Sequence, residues 1–171
     1  MDGNQRSVLF LCTGNSARSI FAEYLANKIG ASRFQAYSAG SEPTGEVNPF
    51  TLRVLKEFYN IDPSRARSKS WDEFKDQKFD FVITVCDKAR QPCPVFRGQP
   101  TLAHWDIPDP ALATGTEESK LRQFRDAAQQ IQRRIELLCS CPIEKIGHLL
   151  TQTVQCAENR NVKLKRGRTK C

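Results

Sequence analysis

Val8-Leu9-Phe10-Leu11-Cys12-Thr13-Gly14-Asn15-Ser16-Ala17-Arg18-Ser19 changes character twice over a short stretch. Val8 to Leu11 is an apolar run of the kind that fills a strand buried on both faces of a parallel sheet. Cys12 to Ser16 is small and polar and breaks that pattern. From Ser19 the spacing turns helical, with Ile20, Tyr24, Leu25 and Ile29 near one face and Gly30 as its stop. Strand, tight polar turn, helix is a unit whose backbone N–H groups converge on one point, where the helix N-terminus adds positive potential. A tetrahedral oxyanion fits there. Arg18, separated from Cys12 by five residues, can grip two of its oxygens, and the same field would favour Cys12 as a reactive thiolate. Ser16 and Ser19 are close enough along the chain to steady the sulfur by hydrogen bonds. A lone cysteine is more often a buried small hydrophobe than a nucleophile; the loop around this one reverses that expectation.

The rest of the chain repeats the alternation. Phe34–Ser38 reads as a second strand, and Asn48-Pro49 opens a second helix with Leu52, Leu55, Phe58 and Tyr59 as its inner stripe. Trp71–Phe74 reads as a helical turn, Phe79–Val85 and Thr101–Trp105 as strands, and Leu121–Leu138 as a long amphipathic helix. Strands alternating with helices predict an α/β three-layer sandwich with a short four-stranded parallel sheet flanked by helices. Ligands of such sheets sit at the carboxyl ends of the strands, where both Cys12 and Cys86 fall. Residues 1–140 are expected to form one domain and 141–171 an extension. In the extension Ile146, Leu149, Leu150 and Val154 can make a further helix before a basic, disordered tail.

Composition narrows the class. The 171 residues carry a net charge of +7, but Arg160, Lys163, Lys165, Arg166, Arg168 and Lys170 face only Glu158 in the last stretch. Five of the seven charges therefore belong to the tail, and the body lacks the aromatic–basic interleaving of a nucleic-acid binder. No segment approaches the roughly 20 apolar residues that span a bilayer, and Met1 to Ser7 shows no cleavable signal pattern, so a cytoplasmic protein is expected. Seven cysteines in such a chain suggest catalytic or buried thiols rather than a secreted disulfide framework. Zinc is disfavoured, because Cys139 and Cys141 are one residue apart and His104 and His148 are isolated.

Cys12-Thr13-Gly14-Asn15-Ser16-Ala17-Arg18-Ser19, with Ser38-Ala39-Gly40 and Asn48-Pro49, resembles the signature of the low-molecular-weight tyrosine phosphatase superfamily over residues 7–138. Within it the chain looks most like the thioredoxin-coupled arsenate reductases. That resemblance implies reduction of arsenate through a thiol–arsenate adduct on Cys12. Cys86 then attacks the adduct, leaving a Cys12–Cys86 disulfide, and Cys93 resolves it to an exposed Cys86–Cys93 disulfide. The reductant would be thioredoxin, or a glutaredoxin and glutathione, with no bound cofactor. Asp109, in Trp105-Asp106-Ile107-Pro108-Asp109-Pro110, would be the general acid, with Asp106 its competitor. Asn15, Glu23 and Ser38 match positions linked to a potassium ion in some relatives, whereas Ser70 stands near the place of their aspartate. A tyrosine phosphatase is the enzymatic alternative, although Ala111 and Leu112 follow Asp109-Pro110 where phosphatases typically carry aromatic residues. A non-catalytic oxyanion-binding module is the alternative of another class.

Overall fold

A computed structural model describes residues 5–86 and 95–150. Cys93, Val154 and the basic tail lie outside the described residues. The elements run β1 (Arg6–Cys12), α1 (Arg18–Ile29), β2 (Phe34–Gly40), α2 (Pro49–Glu57), a 3-10 turn (Trp71–Phe74), β3 (Phe81–Thr84), β4 (Thr101–His104), a second 3-10 turn (Pro110–Leu112) and α3 (Glu117–Ser140). Residues 143–150 are helical again.

The four strands are parallel in the order β2-β1-β3-β4. β1 is central, which is why Val8 to Leu11 is apolar at every position rather than at alternate ones: both of its faces are covered. Val8, Phe10, Phe81 and Ile83 line one small interior space with Ala26 of α1 and Ile135 and Leu138 of α3. Tyr37 belongs to the opposite face. It meets Phe74 and Phe79 edge-on at 5.8 and 5.7 Å, and Phe79 meets Phe96 in turn. α2 packs on α3 through the ring pair Phe50–Phe124.

Three expectations shift. α1 is buried on more than one side: Phe21, Ala22 and Ala26 join Ile20 and Leu25 inside, while Ile29 is 36% exposed. It is wedged between sheet and α3, so one inner stripe does not describe it. In α2 the buried positions are Thr51, Val54 and Leu55. Phe58 lies beyond the last helical turn and is exposed, with Arg125 4.0 Å above its ring. β3 is shorter than Phe79–Val85, because Phe79 leaves the sheet for the aromatic cluster.

Ile146 and Leu150 of the last helical stretch are buried in the main core. Arg33 donates to the carbonyls of Cys139 and Cys141 and so fastens the end of α3 to the loop before β2. Among the described residues, no helix is long and apolar enough to cross a membrane.

Candidate active site

β1 and β3 run side by side in register, Leu11 opposite Thr84, so Cys12 and Cys86 emerge together at the carboxyl edge of the sheet. Both sulfurs are nearly buried, and both line one cleft of about 450 Å³. The loop residues Thr13, Gly14, Ser16, Ala17 and Arg18 form its floor. Asp106, Ile107, Asp109 and Leu112 form the opposing wall. Cys86 Sγ lies 3.5 Å from Thr13 Oγ1.

The loop's shape is imposed from outside. The carbonyls of Cys12, Thr13, Gly14 and Ser16 accept from the N–H groups of Ser41, Glu42, Thr44 and Asn48 at 3.1, 2.9, 3.0 and 3.0 Å. Ser68 Oγ and Thr51 Oγ1 add bonds to the carbonyls of Gly14 and Ser16. A planar trans peptide whose carbonyl is held on one side presents its N–H on the other. Asn15 shows the result, since its N–H points at Cys12 Sγ, 3.1 Å away. Asn15 must adopt a positive φ of 45° to do so, a conformation asparagine tolerates. Gly40 closes the packing: a Cβ there would stand 2.4 Å from the Thr13 carbonyl oxygen. That contact is the physical content of the Ser38-Ala39-Gly40 landmark.

Helix α1 starts at Arg18 behind Ala17, with no side-chain cap and no acidic residue in its first turn. Its first N–H groups are therefore left for an anion. Arg18 is 12% exposed at its side chain and already engaged. Nη1 donates to the Ile107 carbonyl at 3.1 Å and Nη2 to Asp109 Oδ2 at 2.7 Å. Asp109 also caps the short turn Pro110–Leu112 through the N–H of Ala111. Asp106 lines the same cleft, but its backbone carbonyl is tied to Arg134.

Ser19 Oγ lies 2.8 Å from Cys12 Sγ. Burial nevertheless pushes the Cys12 thiol above its ordinary value. The bonds from Ser19 and the Asn15 N–H oppose the rise, and the neighbouring Cys86 adds to it. The reactive thiolate expected from the loop is thus not the resting state. Desolvation of the sulfur outweighs its hydrogen bonds.

Asn15, Glu23 and Ser38 do come together behind the loop, but Lys69 joins them. Its Nζ lies 3.1 Å from Glu23 Oε2. Lys69, Thr44 and Ser68 were not foreseen as part of the site. Lys69 stands one residue from Ser70, and the pairing of this segment with Gly40 brings it beside Asn15.

Residues 7–148 match the model of the low molecular weight phosphotyrosine protein phosphatase family. An arsenate reductase of Halalkalibacterium halodurans is 40% identical over 133 residues, which is 78% of this chain and 94% of the relative. The arsenate reductase of Bacillus subtilis is 37% identical over 75% of this chain and 91% of its own length. Among solved structures, an arsenate reductase in the phosphate binding state superposes with a TM-score of 0.67 at 29% identity, covering 80% of this chain and 98% of that one. A thioredoxin-dependent arsenate reductase of Corynebacterium glutamicum gives 0.55 at 25%, covering 80% and 65%. The chain belongs to the low molecular weight phosphotyrosine protein phosphatase family.

Proposed function

We propose that the chain is an arsenate reductase that works through a thiol relay. One observation carries the reading: a second thiol, Cys86, opens into the same cleft as the nucleophile Cys12. A phosphatase needs one cysteine, because water regenerates it. A reductase must hand over two electrons, and two sulfurs at one substrate can do so by becoming a disulfide. That the relatives at 40% and 37% identity are arsenate reductases supports the same assignment.

The proposed reduction runs through the following steps. Arsenate enters the cleft against the loop N–H groups and draws Arg18 from Asp109 onto its own oxygens. Cys12 passes its proton to the Asp109 carboxylate that Arg18 has released, and attacks arsenic. Asp109 hands that proton to an arsenate hydroxyl as its bond to arsenic breaks, and the hydroxyl departs as water. Cys86 then attacks the Cys12 sulfur. The sulfur–arsenic bond breaks, its electron pair stays on arsenic, and arsenite leaves with a Cys12–Cys86 disulfide behind it. Cys93, outside the described residues, resolves that bond by attacking Cys86. A dithiol of the thioredoxin type restores both thiols, in the reducing environment of a cytoplasm. The thioredoxin-dependent relative supports this reductant over glutaredoxin and glutathione.

The phosphatase reading has one observation in its favour, since Cys12, Arg18 and Asp109 also suffice to cleave a phosphate ester. The wall beyond Asp109 is Ala111 and Leu112, with no ring to stack on a tyrosine. The deciding experiment mixes fully reduced protein with arsenate and no external reductant, then maps disulfides by mass. One arsenite per chain and a Cys86–Cys93 bridge are expected. Brisk aryl phosphate hydrolysis with no arsenite and no new disulfide would overturn the reading.

A further inference from the structure

Behind the loop runs an unbroken chain of polar contacts that ends on the nucleophile. Lys69 Nζ lies 3.1 Å from Glu23 Oε2 and 3.3 Å from the Arg67 carbonyl. Ser38 donates to the same Glu23 oxygen. Asn15 Nδ2 donates to Ser38 Oγ at 2.9 Å and to Ser19 Oγ at 2.8 Å, and Asn15 Oδ1 accepts from the Lys69 N–H at 2.7 Å. Ser19 meets Cys12 at 2.8 Å. Asn15, Ser19 and Ser38 are fully buried, and the Lys69 side chain is 9% exposed.

These residues do not fit a bound potassium ion. Such a site needs oxygens free to coordinate, and here the single carboxylate, Glu23, is already matched by an ammonium. A second cation beside it would meet Lys69 at close range in a poorly solvated place. A buried lysine–glutamate pair is also a weak device for stability alone, because desolvating both ions offsets most of their attraction.

We propose that Lys69 is a tethered cation that neutralises Glu23 and, through Ser38, Asn15 and Ser19, positions and electrostatically tunes the Cys12 sulfur. Lys69 is a positioning residue, because it acts through others and touches no reacting atom. The groups that face Cys12 directly are Ser19, the Asn15 N–H and Cys86, while Arg18, paired with Asp109, lines the same cleft. Removing Lys69 leaves the Glu23 charge bare at the far end of the chain and disfavours the thiolate. Removing the Glu23 charge leaves an uncompensated ammonium and favours it.

The test needs no arsenate, so its failure would leave the reductase reading standing. In the reduced full chain, the pH dependence of Cys12 alkylation by iodoacetamide is followed by mass mapping. Lys69→Gln should raise the midpoint by about half a pH unit, Glu23→Gln should lower it by a similar amount, and the double variant should return close to the wild type. A purely structural role would not move the two single variants in opposite directions, so shifts of one sign, or none, would overturn the proposal. If Lys69→Gln does not fold, Glu23→Gln and the wild type still decide. The wild-type Tm should be the same in potassium chloride and in choline chloride of equal ionic strength. A rise of several degrees specific to potassium would mean that an ion, not Lys69, holds the position.

Discussion

Helices α1 and α3 begin in opposite ways. α3 is closed by its own side chains: Thr116 accepts from the Ser119 N–H, and Glu117 and Glu118 meet the positive end of the helix dipole in its first turn. α1 has Ala17 at the cap position, no acid in its first turn, and Arg18 where α3 carries Glu117. The first arrangement stabilises a helix. The second leaves the same donors and the same field for something that arrives from solution, and adds a cation to them. What separates a structural helix start from a binding one is therefore the lack of a cap where a cap costs nothing to encode.

That contrast can be broken most severely by closing the open end. Ser16→Asp places a carboxylate in the loop and should abolish arsenate-driven arsenite release, by about 100-fold or more, with Tm changed by only a few degrees. Retained activity would mean that the α1 terminus does not hold the oxyanion. Next comes Arg18→Lys, which keeps the charge but loses the fork to Ile107 and Asp109. Turnover should fall about 100-fold while folding is preserved. At α3 the expectation inverts. Thr116→Ala should cost about 1 kcal/mol of stability and lower Tm by about 2–4 °C while arsenite release stays at the wild-type rate.

The smallest effect is a pH dependence. The Cys12 thiol lies above the ordinary 9.0 in the folded chain, so as pH climbs past 9.0 the unfolded chain loses that proton first. This contribution is neutral below 9.0 and lowers stability above it. Cys12→Ala should therefore flatten the alkaline fall of Tm relative to the wild type, and an unchanged slope would argue against burial as the dominant influence on the sulfur.

What could be read from the chain alone followed covalent adjacency. β1, the loop and α1 are neighbours in sequence, so their alternation of apolar, small polar and helical residues exposed both the strand–loop–helix unit and Cys12 with Arg18. Cys86 was legible as a strand end because a β-branched run stops there, whereas Asp109 was named only through the family resemblance, since an Asp-Pro pair by itself reads as a turn. Lys69 was not legible. It reaches Asn15 across 54 residues, through a one-residue bridge at the end of β2 that no local pattern announces. Thr44 and Ser68 were missed for the same reason, as ordinary loop residues whose role is to hold another loop's carbonyls. The elevated Cys12 thiol was unreadable too, because it depends on how completely the folded chain buries the sulfur and on Cys86 standing beside it, 74 residues away.

The pairing of Arg18 with Asp109 makes the resting protein its own competitor for the anion site. An oxyanion must displace a carboxylate to enter, while burial holds the sulfur toward the thiol form that small neutral oxidants such as peroxide attack slowly. In the proposed reductase, the molecule that Cys12 is meant to attack is the one that frees Asp109 to take its proton. One 2.7 Å contact thus turns occupancy of the site into an exchange of one anion for another.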